Sequence, residues 1–142
     1  MKTLKLNFYP YTLKLKQTFA VSSFSRNETP VVLTEIEYDG KVGYGEASLP
    51  PYLGETQDSV INFLSEIDFG KFVNPLDSET ILNYVDNIAD GNNAAKASVD
   101  IALHDLIGKI LGIPLFKYFG LVKSAPAFTS YTIGIDNSEN IS

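Results

Sequence analysis

Residues 95–120, AKASVDIALHDLIGKILGIPLFKYFG, are the stretch that decides the fold. Apolar residues recur there every three or four positions, which predicts a long helix over about residues 93–111. Gly112 followed by Pro114 ends that helix. Small side chains along it let neighbouring elements approach closely. The predicted core stripe consists of Val99, Leu103, Leu106, Ile107 and Ile110.

The residues before this helix predict a sheet. Apolar and polar residues alternate over residues 4–15, 31–38 and 41–47, the pattern of strands with one dry face. Asp39-Gly40 predicts a tight hairpin turn, because both central residues of that turn need positive φ. Residues 16–30 are rich in Ser, Asn and Pro and predict a loop.

Two shorter helices are predicted between the sheet and the long helix. One spans about residues 56–68, and the other is capped by Asp77 or Ser78 and stopped by Gly91. Residues 127–135, AFTSYTIGI, predict one last strand. Strands followed by helices give an α+β order.

Composition excludes several classes of protein. The 142 residues carry a net charge of −6, and nucleic-acid binding needs a basic face. The chain has no cysteine, which excludes disulfides and thiolate metal sites. Its N-terminus alternates in polarity, unlike a signal peptide, and no apolar run approaches a membrane span. A cytoplasmic location is therefore expected.

The segment at 95–120 resembles the signature of the mandelate racemase/muconate lactonizing enzyme group of the enolase superfamily. Tyr118 departs from it, since that position usually holds Leu. Asp105 and Lys109, four residues apart, can pair on the helix surface. The matching positions are Ala95, Ala97, Ser98, Val99, Asp100, Ala102, Leu103, Asp105, Gly108, Lys109, Pro114, Leu115 and Gly120.

The resemblance extends along the chain and implies a fold. Within the group, the segments ETPVV, GYGEA and TSYTIGI resemble dipeptide epimerases, such as those that interconvert L-Ala-D-Glu and L-Ala-L-Glu. The implied fold is α+β: an enolase-type N-terminal capping domain over residues 1–123, a three-stranded antiparallel meander followed by helices. Residues 124–142 are then the start of a truncated TIM-type barrel.

The resemblance also implies the chemistry. In this group two barrel lysines exchange the α-proton beside a carboxylate, and three barrel carboxylates hold Mg²⁺, which stabilises the enediolate. This chain contains none of those elements, so no catalytic or metal-binding residue is assigned to it and it is expected to be inactive alone. The expected partners are a dipeptide, the rest of the barrel and, since the family is often oligomeric, further copies.

Position within the family gives four candidate substrate-binding residues. Phe24 stands in the first of two cap loops, where some Ala-Glu epimerases carry an Arg, and Arg26 nearby can reach an anion. Tyr52 stands in the second cap loop, and Thr132 at the end of the first barrel strand. Each has a plainer interpretation: loop packing, a solvated cation or an ordinary strand residue.

Three other features favour structure over chemistry. His104 and Asp100 lie four residues apart, which on a helix is typical of a surface or packing pair. Glu46 has no second positioned group beside it. Gly43-x-Gly45 lacks the third glycine and following helix of a dinucleotide site.

Two alternatives stay open from the sequence. In the first, the intact protein is a muconate cycloisomerase or an o-succinylbenzoate synthase, both of which share this cap. Alternatively, the chain is a binding or structural module without catalysis.

Overall fold

The fold has three strands followed by helices. The computed structural model describes residues 2–21, 24–122 and 128–130. The antiparallel sheet has the order β1-β2-β3 and contains β1 (Lys5–Val21), β2 (Phe24–Tyr38) and β3 (Lys41–Ser48). The helices are α1 (Gln57–Ser65), α2 (Ser78–Asp86), α3 (Asn93–Leu111) and α4 (Leu115–Tyr118). The predicted α+β class and three-stranded meander are confirmed.

Two predicted signals match the observed backbone closely. Asp39 and Gly40 have φ values of 50° and 76°, so the turn between β2 and β3 has the predicted positive-φ pair. α3 covers residues 93–111 as predicted, and Gly112 ends it in the left-handed conformation with φ of 66°.

The loop predicted over residues 16–30 is wrong. β1 continues to Val21 and β2 begins at Phe24, so the two strands pair as one long hairpin. The register shifts between Lys14, opposite Glu28, and Phe19, opposite Arg26. Local propensity missed this part of the hairpin. Pairing between the two strands satisfies the backbone polar groups, and this outweighs the preference of the Ser, Asn and Pro residues for turns.

The end of α2 also differs from its prediction. The helix stops at Asp86, and Gly91 lies beyond it with φ of 68°. The Asn87 side chain donates to the carbonyl of Asn83 at 2.6 Å, which closes the last turn early.

Of the strand predicted over residues 127–135, only residues 128–130 are described, and they lie in no helix or strand. Within the described residues, no helix combines the length and the apolar character needed to cross a bilayer.

α3 lies directly on β3 because two strand residues have no side chain. A Cβ built on Gly45 would lie 2.0 Å from the Ser98 carbonyl oxygen, and one built on Gly43 would lie 2.1 Å from that of Ala102. Both distances are far below van der Waals contact, and both involve helix backbone, which cannot rotate away as a side chain can. These glycines therefore set how closely the sheet approaches the helix.

A buried polar pair lies in the same interface. Thr34 on β2 donates its hydroxyl to Ser98 Oγ at 2.9 Å, and Ser98 donates to the carbonyl of Ala95 at 2.7 Å. Thr34 and Ser98 are fully buried. Each buried hydroxyl thus has a partner, which avoids the cost of an unsatisfied polar group.

Asp105 and Lys109 form the predicted ion pair, with Lys109 Nζ 2.6 Å from Asp105 Oδ2. The pair also contacts the open edge of β3: the Tyr44 N–H donates to Asp105 at 2.9 Å, and Lys109 donates to the Val42 carbonyl at 2.8 Å. These two backbone groups face away from β2. The two side chains therefore occupy the hydrogen-bonding positions that another strand would use.

The outer face of the sheet carries exposed tyrosines. Tyr9 on β1 lies diagonally across from Glu35 on β2, and Tyr44 on β3 is directly opposite Glu35. The Tyr9 hydroxyl donates to the Glu35 carboxylate. That bond, together with partial burial and the negative charge, raises the pKa of Tyr9 to about 12.

We expect Gly45→Ala to destabilise the chain by about 1–3 kcal/mol or more, because the new methyl group must displace α3 backbone. Urea unfolding followed by circular dichroism measures this loss. Gly70→Ala is the matched control, since its Cβ would meet only the Asp68 side chain, at 3.2 Å. A Gly45→Ala chain as stable as the Gly70→Ala chain would contradict the close-approach argument.

We expect the Tyr9 phenol to ionise later than an ordinary tyrosine. Because the folded-state pKa is raised above the ordinary value of about 10, this contact stabilises the fold fully below pH 10 and is lost as pH rises through about 12. Phenolate absorbance of the chain minus that of Tyr9→Phe gives the titration. Glu35→Gln should move it toward the ordinary value; no movement would rule out the Glu35 bond as its cause.

Candidate functional site

Two segments distant in sequence line one open cleft of about 510 Å³. The first is the hairpin arm, residues 24–30 at the start of β2. The second is the loop of residues 49–56 between β3 and α1, here called the cap loop. Three arm residues line the cleft: Arg26, Glu28 and Pro30. Its other wall consists of Leu49, Pro51, Gly54, Glu55 and Thr56, with Gln57 and Asp58 of α1.

Arg26 supplies the positive charge of the cleft. Strand pairing places it opposite Phe19, and its guanidinium lies 5.7 Å from the centre of the Phe19 ring. The side chain is half-buried, and Glu28, two residues further along the arm, is exposed. The hairpin, predicted as a loop, is thus the element that carries Arg26 to the cleft.

The cap loop has an exposed tip. Residues Pro51–Leu53 form a 3-10 turn, and Gly54 reverses the chain with φ of 73°. Tyr52 on this turn is 77% exposed and Leu53 is 52% exposed. Tyr52 does not itself line the cleft, although Pro51 before it and Gly54 after it do.

The base of the cap loop is fixed to two helices. Glu55 accepts the backbone N–H of Ala94 through both carboxylate oxygens, at 3.0 and 3.2 Å, and so caps the start of α3. Asn92, the residue before α3, makes no side-chain cap of its own. Thr56 and Ser59 form a reciprocal capping box at the start of α1. The order of the cap loop thus depends on helix ends on either side of it.

The charges of the cleft are mixed. One guanidinium, that of Arg26, shares it with three carboxylates, those of Glu28, Glu55 and Asp58. A planar guanidinium binds a carboxylate through two parallel hydrogen bonds. Carboxylates that no backbone N–H occupies attract a cationic group. The charges of the cleft are therefore suited to a small polar ligand.

The described residues do not fit a metal centre. Across residues 2–21, 24–122 and 128–130, no three His, Cys, Asp or Glu side chains come together in a way that suits a metal ion. These described residues therefore provide no ligand set for the magnesium that the family resemblance implies.

The structure describes only some of the four candidate substrate-binding residues. Arg26 lines the cleft, and Tyr52 lies on the 3-10 turn whose first residue, Pro51, also lines it. Phe24 begins β2, but its side chain lies outside what the structure describes, and Thr132 lies outside the described residues altogether. For all four residues, a substrate role stays a prediction.

The His104–Asp100 pair and Glu46, for which the sequence favoured a structural role, lie outside the cleft lining. His104 Nδ1 lies 2.5 Å from Asp100 Oδ1, and its ring packs against Tyr118 and Phe119 with centroids 5.9 and 5.3 Å apart. Tyr118, the departure from the signature, is thus part of an aromatic cluster. Glu46 lies exposed on β3, away from the residues that line the cleft.

Sequence reasoning missed Glu55 and Gln57. Glu55 bonds to a residue 39 positions away, and Gln57 bonds to backbone 26 and 46 positions away. The only local signal was the Thr56-x-x-Ser59 spacing at a helix start, which marks the capping box and not the long-range bonds beside it.

Comparison with known proteins identifies the family. The model of the mandelate racemase/muconate lactonizing enzyme N-terminal domain matches residues 8–120. The chain is 53% identical over 136 residues to the L-Ala-D/L-Glu epimerase of Bacteroides thetaiotaomicron, an alignment that covers 96% of the chain and 36% of that protein. The chain thus spans just over a third of the length of this relative.

Solved structures agree. The dipeptide epimerase of Methylococcus capsulatus, complexed with Mg and L-Arg-D-Lys, superposes with a TM-score of 0.84 at 28% identity, over 99% of this chain and 40% of that one. The dipeptide epimerase of Cytophaga hutchinsonii, complexed with Mg and D-Ala-L-Val, gives 0.82 at 30% identity, over 99% and 39%. The chain belongs to the mandelate racemase/muconate lactonizing enzyme family, whose N-terminal domain it contains.

Proposed function

We propose that the intact protein is a Mg²⁺-dependent dipeptide epimerase and that this chain is the domain that selects its substrate. The relatives named above are epimerases, and two of the structures contain magnesium and a dipeptide. The metal and the acid/base groups are proposed to lie in the part of the protein beyond this chain.

The observation that carries the proposal is the position of Arg26. It lines the cleft between the hairpin arm and the cap loop, and its side chain is half-buried. We infer that it binds a carboxylate on the substrate's distal side chain, as in a dipeptide with C-terminal Glu. Phe24, Tyr52 and Thr132 are proposed as further substrate contacts.

A second candidate is an epimerase of cationic dipeptides. Glu28 and Asp58 line the same cleft and would attract an ammonium or guanidinium group. The two candidates differ in which charged residue governs selectivity, so one panel of substrates separates them.

We expect Arg26→Met in the intact enzyme to lower kcat/KM for L-Ala-L-Glu by about 10- to 100-fold relative to L-Ala-L-Ala, the worth of a well-made charge-assisted hydrogen bond. Exchange of the substrate α-proton with solvent deuterium measures both rates. Arg26→Lys should lose less, because it keeps the charge without the paired geometry.

Lys14→Met is the control for that experiment. It removes one positive charge from the same hairpin, at an exposed position opposite Glu28 that does not line the cleft. Selectivity should then stay at the wild-type value. Equal losses for both dipeptides in Arg26→Met would count against Arg26 as the selecting residue, and a preference for Lys-containing dipeptides would favour the second candidate.

We expect the 142-residue chain alone to give no α-proton exchange with any dipeptide in the presence of Mg²⁺. The described residues offer no metal cluster, and the proposed acid and base lie elsewhere. The same deuterium assay tests this. Exchange above the buffer background would contradict the division of roles between this domain and the remainder.

A further inference from the structure

The two walls of the cleft come from segments that are separate in the sequence. The hairpin arm forms one wall and the cap loop the other, and 18 residues of chain separate Pro30 from Leu49. A ligand held between them is recognised only if the walls keep a fixed separation. The contacts that cross between the walls therefore matter for selectivity.

Gln57 makes such a contact at the end of the cap loop. Its side-chain Nε2 donates to the Tyr11 carbonyl and to the Val31 carbonyl, each at 2.9 Å. Tyr11 and Val31 are paired residues of β1 and β2. One amide group has two N–H bonds, so both are used, one on each strand of the hairpin.

Val31 receives both ends of the cap loop. Ser48, the residue before the loop, pairs with Val31 in the β2–β3 ladder, and Gln57, the residue after it, bonds to the Val31 carbonyl. Val31 itself is fully buried and directly follows the hairpin arm. The loop is thus closed on the point where the opposite wall begins.

We propose that Gln57 is a positioning residue that sets the separation of the two cleft walls. This inference rests on the proposed function in one respect only, namely that the cleft holds the substrate's distal side chain. Glu55 fixes the loop to α3, and the Thr56 capping box fixes it to α1. Gln57 instead fixes it to the hairpin, and so relates the loop to Arg26.

Two substitutions separate the bonds from the size of the side chain. Gln57→Glu keeps the shape but turns the donor into a carboxylate, which two carbonyl oxygens repel. It also adds negative charge to a cleft that already contains Glu28, Glu55 and Asp58. Gln57→Met keeps the length without donors or charge. Both should let the walls separate, and Gln57→Glu more than Gln57→Met.

The absence of cysteine from the sequence makes the separation measurable. Glu28→Cys on the hairpin arm and Leu53→Cys on the loop tip, both at exposed positions, carry spin labels whose distance distribution pulsed electron resonance reports. Losing both hydrogen bonds should raise the population of molecules with widely separated walls, and so with a longer distance between the labels, by about 10- to 100-fold. In the intact enzyme, the same Gln57 variants should raise KM for L-Ala-L-Glu with little change in kcat.

Asn87→Asp is the matched control. Asn87 also donates a side-chain amide N–H to a carbonyl, that of Asn83 at 2.6 Å, but at the end of α2, where it does not line the cleft. It should lower stability and leave the distance distribution unchanged. An unchanged distribution in both Gln57 variants would overturn the proposal, and so would equal broadening in Asn87→Asp.

The distance measurement uses no substrate, so it fails or succeeds independently of the epimerase assignment. If the walls separate in the Gln57 variants but no dipeptide is epimerised by the intact protein, the positioning role stands and the proposed function is wrong. If epimerisation is observed and the walls do not move, the positioning role alone is wrong.

Discussion

The contact between two glycines of β3 and the backbone of α3 is the constraint on which the rest of the structure depends. Any side chain at Gly43 or Gly45 would occupy space that helix backbone already fills. Because the sheet can approach this closely, Thr34 reaches Ser98, and the Asp105–Lys109 pair reaches the edge of β3. The start of α3 is then held where Glu55 can cap it.

This arrangement links the helix to the cleft in a definite order. α3 is positioned by the glycines, Glu55 is positioned by the start of α3, and the cap loop is positioned by Glu55 and Gln57. The hairpin arm is positioned by its pairing with β1, past the register shift that follows Lys14. The two walls of the cleft thus have separate supports that meet at Val31.

Much of the fold was predictable because its signals are local. The bounds of α3 follow from a 3.6-residue period and a stop at Gly112, and the turn at Asp39-Gly40 follows from the φ values that it requires. The hairpin arm was not predictable, since its composition favours a loop and only its partner strand makes it β. In the candidate site, Arg26 could be proposed from its position in the sequence, whereas Glu55 and Gln57 act through contacts distant in sequence.

The exposed tip of the cap loop has a consequence for how such domains diversify. Tyr52 and Leu53 project into solvent, while the residues that fix the loop lie at its ends. Exchanging an exposed side chain changes stability little. Mutation can therefore alter the chemistry that the tip presents to solvent in small, individually tolerated steps, without disturbing the framework below it. Changes at Glu55 or Gln57 have no such freedom, because each would remove hydrogen bonds that hold the loop.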